Sequence, residues 1–98
     1  MEKRTPACPL TKIKTLVKNG KVRMTASAVS GAAELGINRQ GVVAVVMALS
    51  SSDFHKSMTT HADHTIWQDV YRPCTPHGAV YLKLTVVDDL LIVSFKEL

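Results

Sequence analysis

Cysteine is scarce in this chain: Cys8 and Cys74 are the two thiols among 98 residues. Two cysteines make no disulfide framework. The opening MEKRTPACPL carries no apolar h-region, so the reading is a protein of the reducing cytoplasm. Long apolar runs are missing as well. The longest, Val42 to Leu49, is far too short to cross a bilayer, which excludes a membrane-spanning helix. There is no Gly-rich phosphate loop, HExxH, GxSxG or EF-hand loop. Carboxylates are few, and the one adjacent pair, Asp88-Asp89, has a sufficient role as a turn. Repeats, linkers and low-complexity tracts are absent too, and the length fits one domain spanning 1–98.

Positive charge is present in excess, with a formal net charge of +4. Much of it comes early, at Lys3, Arg4, Lys12, Lys14, Lys18, Lys21 and Arg23. A basic balance suits a polyanion, and nucleic acid is the commonest one.

Periodicity divides the chain into a helical first half and a strand-rich second half, an α+β order rather than alternating βαβ. A first helix is predicted from about Pro9 to Asn19, with Leu10, Ile13, Leu16 and Val17 as its apolar stripe and Gly20 as its stop. A second follows a Thr25 or Ser27 cap and ends at Gly36. Asn38 caps a third, through Leu49, although its valines also suit a buried strand. Strands are predicted over Phe54 to Thr59 and Thr65 to Arg72. A hairpin of Ala79 to Val87 and Leu90 to Lys96 turns at Asp88-Asp89.

Alternation puts Val80, Leu82, Leu84 and Val86 on one face of this hairpin. With a two-residue turn, Val87 faces Leu90, Val86 faces Leu91, Leu84 faces Val93, Leu82 faces Phe95 and Tyr81 faces Lys96. Leu91, Val93 and Phe95 are then the apolar row. A turn centred on Ala62 in the other strand pair sets Met58 against Ile66, Lys56 against Gln68 and Phe54 against Val70. A lysine among apolar neighbours is a candidate general base, or else a snorkelling side chain with its head in water. His61-x-x-His64 with Cys74-x-x-His77 offers zinc-type ligands. The spacing matches no standard finger, and no metal or cofactor is expected.

Two long runs carry a resemblance. They are Ser52-Asp53-Phe54-His55-Lys56-Ser57-Met58-Thr59-Thr60 and Asp63-His64-Thr65-Ile66-Trp67-Gln68-Asp69-Val70-Tyr71-Arg72-Pro73. With the opening Met1 to Pro6, the Val80-Tyr81-Leu82-Lys83 strand and the ending Leu91 to Glu97, the chain resembles the MqsR family of toxins along its full length. The resemblance implies a RelE-like α+β fold, a mostly antiparallel sheet with the N-terminal helices packed on it. It also implies a metal-independent mRNA interferase of a type II toxin–antitoxin system, which cuts at GCU sequences and arrests growth. The implied partners are mRNA and an MqsA-like antitoxin, which carries the zinc and a helix-turn-helix domain. The implied catalytic residues are Lys56, Gln68, Tyr81 and Lys96, with His55, Arg72 and Lys83 as substrate-binding candidates. His55 stands where the family pattern has Tyr, and Cys74, Pro76 and His77 form an unfamiliar loop. The competing function is a non-catalytic RNA- or protein-binding module that docks through the basic helix face.

Overall fold

Thr25 and Asn38 start the second and third of the three helices. The Thr25 hydroxyl accepts the Ala28 N–H at 3.1 Å, and the Asn38 carboxamide accepts that of Gly41 at 2.9 Å. Each satisfies a donor that the first helical turn leaves unpaired. The computed structural model describes residues 1–98. Its elements in chain order are β1 (Glu2–Lys3), α1 (Leu10–Lys18), β2 (Val22–Met24), α2 (Ala26–Glu34), α3 (Arg39–Met47), β3 (Phe54–Thr59), β4 (Trp67–Tyr71), β5 (Cys74–Thr75), β6 (Gly78–Val87) and β7 (Asp89–Glu97). All three predicted helices form, and the valine-rich segment is α3 rather than a strand. Gly20 and Gly36 follow α1 and α2 at φ +72° and +73°, a region that side chains disfavour.

Seven strands make the sheet, in the order β1-β3-β4-β6-β7-β2, with β5 paired to β6 off that path. The sheet is antiparallel except at one edge, where β2 runs parallel to β7. The fold is therefore α+β. The core lies between the helices and one sheet face. Ile13, Ala28, Ala32, Val42, Val46 and Leu49 meet Tyr71, Val80, Leu82, Leu84, Leu90, Ile92 and Phe95 there.

Two register expectations are corrected. In the β6–β7 hairpin Asp88 alone forms the tip, at φ +65°, and Asp89 already pairs with Val87. Aspartate tolerates this left-handed conformation because its short polar side chain bonds locally. The inner pairs are accordingly Val86–Leu90 and Leu84–Ile92, one residue away from the predicted Val86–Leu91 and Leu84–Val93. A bulge past Leu84 leaves Val93 unpaired and restores the predicted register, so Leu82 faces Phe95 and Tyr81 faces Lys96. The buried row of β7 is Leu90, Ile92 and Phe95 rather than Leu91, Val93 and Phe95.

In the β3–β4 pair Lys56 faces Val70 and Gln68 faces Met58, so the predicted Lys56–Gln68 pair does not form. The connecting turn is longer and off-centre, which moves the register by two residues. An even shift keeps every side chain on its face. A bulge at His55 then sets Phe54 opposite Tyr71 instead of Val70. This turns Phe54 to the helical side, where its ring meets that of Tyr71 edge-on, with centroids 5.4 Å apart.

Candidate active site

With the helices on one face, the sheet register decides what the opposite face presents. Lys56 and Met58 of β3 lie there with Gln68 and Val70 of β4. Lys83 of β6 pairs with Val70 on one side and Ser94 of β7 on the other. Tyr81 and Lys96 form the next row. Lys56, Gln68, Tyr81, Lys83 and Lys96 thus share one open face. Directly paired strands lie about 5 Å apart, so Lys56 and Lys83, with β4 between them, are separated by roughly 10 Å. The patch is a broad floor of four strands rather than a single tight cluster.

Val70 is fully buried although it lies on this open side. It stands between Lys56 and Lys83 in register, and long lysine stems of this kind can cover apolar surface while their heads stay in water. Lys56 keeps 22% of its side-chain surface exposed, and its Nζ lies 2.7 Å from Glu2 Oε1. Gln68 is one pair along from Lys56, on the diagonal. The Lys96 ammonium sits 5.2 Å from the centre of the Tyr81 ring, within cation–π range.

His55 occupies the β3 bulge beside Lys56. The Arg4 guanidinium donates to the His55 carbonyl at 3.4 Å. Desolvation pushes the imidazole below its ordinary range, and the positive charges of Arg72, Arg4 and Lys56 push the same way. The neutral form of His55 is therefore favoured, in cationic surroundings. Arg72, just past β4, is exposed, and its backbone N–H donates to the Asp53 carbonyl at 2.8 Å.

Sequence reasoning assigned no role to Glu2 or Arg4. Both lie in the opening segment that the resemblance quotes, but a two-residue strand such as β1 has no alternation to reveal it. Glu2 faces Met58, which puts it on the open side. Its carboxyl is held below the usual carboxylate range by the hydrogen bond from Lys56, then by the Lys56 charge.

Two of the four zinc-type residues lie elsewhere. Cys74 and His77 line a groove of about 370 Å³ beside Ile37, Gly41 and Val45, and none of the seven predicted site residues borders it. No three His, Cys, Asp or Glu side chains gather in a metal-holding group. No helix is long and apolar enough to cross a membrane.

The arrangement offers separated ammonium groups, a phenol and a carboxamide on one solvent-facing floor, with the His55 imidazole in the bulge beside Lys56. Such groups stabilise developing negative charge, donate or accept protons and hold phosphate oxygens. Comparison with known proteins is in keeping with this chemistry. The family model described as "Motility quorum-sensing regulator, toxin of MqsA" matches residues 5–97. The mRNA interferase toxin MqsR of Escherichia coli (strain K12) is 60% identical over 97 residues, covering 99% of each chain.

Proposed function

The chain belongs to the MqsR toxin family, and from that premise we propose that it is a toxin acting as an mRNA interferase, an endoribonuclease that needs no metal. Its preferred sites are GCU sequences, its effect is growth arrest, and an MqsA-like antitoxin neutralises it. The single observation that carries the reading is the shared face of Lys56, Gln68, Lys83, Tyr81 and Lys96.

RNA brings its own nucleophile, the ribose 2′-OH. The 2′-oxygen attacks the adjacent phosphorus and loses its proton. The bond from phosphorus to the 5′-oxygen breaks, and that oxygen takes up a proton. The products are a 2′,3′-cyclic phosphate and a 5′-hydroxyl. Lys56 and Lys96 stabilise the added charge on the phosphoryl oxygens and take part in proton transfer. Tyr81 donates a hydrogen bond or a proton, and Gln68 positions phosphate or base. His55, Arg72 and Lys83 hold the flanking strand. Each catalytic group contributes about 10²–10³ in rate. A floor four strands wide suits an extended single strand, the form in which RNA exposes its bases and 2′-hydroxyls.

The test is cleavage of a defined RNA by the purified protein, with and without EDTA, followed by mapping of the 5′ ends. Cutting that persists in EDTA, stops when the ribose at the cut site is 2′-deoxy and leaves a cyclic phosphate is the expected result. Alanine variants at Lys56, Gln68 and Tyr81 lose cleavage while remaining folded. Wild-type cutting by all three overturns the site, and RNA retained without cleavage supports a binding module instead.

A further inference from the structure

Away from the hairpin tip, Glu2 is the one acidic side chain among the open-face positions. It forms the sole ion pair of the chain, 2.7 Å from Lys56 Nζ. An exposed pair of this kind contributes little to stability. This one also sets an anion where the face has to receive another, the RNA backbone. The segment that carries it is firmly tied down. Glu2 and Lys3 pair with Met58 and Ser57, the Thr59 N–H donates to the Met1 carbonyl at 3.0 Å, and the Lys3 ammonium lies 4.2 Å from the centre of the Trp67 ring. The carboxylate is thus carried by a paired strand and meets the Lys56 ammonium at the end of its four-carbon stem.

We propose that Glu2 is a positioning residue for Lys56: its carboxylate fixes where the ammonium stands, which raises turnover, and at the same time repels the RNA backbone. An ammonium has three donors. One stays on Glu2 Oε1, and two are left for phosphoryl oxygens. This inference rests on the ribonuclease reading of the same face. Removing the carboxylate moves both kinetic constants in one direction. Turnover falls because the ammonium wanders, and KM falls because the repulsion is gone.

The experiment is steady-state cleavage of a short fluorescent RNA by Glu2→Gln, Glu2→Asp, Lys56→Ala and the Glu2→Gln/Lys56→Ala double variant. Thermal unfolding is recorded for each. Glu2→Gln lowers kcat about tenfold, a modest case of misplacing a reacting group. It lowers KM about threefold, the effect of one unit charge roughly 7 Å from a phosphate in water. Glu2→Asp, with its carboxylate on a shorter arm, recovers most of kcat. In the Lys56→Ala background Glu2→Gln changes the residual kcat no further, because the positioning passes through Lys56, while its direct charge effect on KM persists. A Glu2→Gln protein with both constants at wild-type values overturns the positioning role. So does one whose kcat falls with KM unchanged, the mark of lost folded protein. If Lys56→Ala is inactive in either case, the ribonuclease site itself survives. A Lys56→Ala protein that cleaves like wild type overturns the site and this inference with it.

Discussion

Tyr81 and Lys96 stand directly opposite each other on β6 and β7, with the ammonium 5.2 Å from the centre of the phenol ring. The contact needs the ring and not the hydroxyl. Tyr81→Phe therefore keeps it and leaves unfolding stability within about 0.5 kcal/mol of wild type. If the hydroxyl takes part in the chemistry, the same variant loses about 10²–10³ in kcat. Rapid-quench cleavage of one RNA, read beside a thermal melt, separates the two effects. An active Tyr81→Phe removes the hydroxyl from the mechanism and leaves the ring as a support for Lys96.

With the open face binding RNA as proposed, His55 is expected to give it a pH response. Its imidazole is held below the ordinary histidine range, so its neutral form is favoured and it gains charge only in more acid solution. A cation added to an RNA-binding face tightens binding. The wild-type KM for RNA accordingly falls as the pH drops below the usual histidine pKa of about 6.5, because the lowered imidazole charges on the acid side of that value. In His55→Gln that dependence flattens while KM at pH 7.5 stays near wild type. A wild-type KM that does not change on that acid side excludes His55 from contact with the substrate.

Gly31 sits where α2 crosses β7. A Cβ placed there falls on the carbonyl oxygen of Phe95, which is strand backbone and has no rotamer to change. In an exposed helix, replacing glycine with alanine gains about 1 kcal/mol. Here the helix has to lift off the sheet, so Gly31→Ala destabilises by about 2–3 kcal/mol. Urea unfolding measures it, and a variant as stable as wild type contradicts the close approach.

Tyr71 is fully buried, and its hydroxyl has no hydrogen-bond partner. Burial pushes the phenol up to about 12, with Asp69 adding to the effect. An unfolded tyrosine ionises near pH 10. Between about pH 10 and 12 the unfolded chain has lost a proton that the folded chain keeps, so stability falls as pH rises through that window. Tyr71→Phe removes this part of the alkaline slope. It also deletes an unsatisfied buried hydroxyl, which stabilises the fold at neutral pH by about 1 kcal/mol. Chemical denaturation at pH 7.5 and pH 11 checks both statements.

Helices were the most legible part of the sequence, because Thr25, Asn38, Gly20 and Gly36 mark their ends with residues that suit those ends and little else. The Tyr81–Lys96 pair was legible for a less direct reason. The hairpin tip is shorter by one residue than alternation implied, and the bulge at Val93 restores it, so the two departures cancel before the register reaches Tyr81. The bulge at His55 has no counterpart in the pattern. Phe54, Lys56 and Met58 alternate as though on one face, yet Phe54 packs on Tyr71 and Lys56 faces solvent. Bulges are settled by packing between strands, which periodicity along one strand does not contain. The choice of Lys56, Gln68, Tyr81 and Lys96 as catalytic came from family likeness. Their common face follows from the register.

The predicted residues that share the open face are carried by β3, β4, β6 and β7, whose backbones are paired within the sheet. Such strands belong to the part of a protein whose amides exchange slowly, opening only when the domain opens as a whole. The floor of the site is therefore as durable as the molecule. Fraying of a loop leaves it intact. Silencing it takes a partner that obstructs entry to that surface or a force that dismantles the entire sheet.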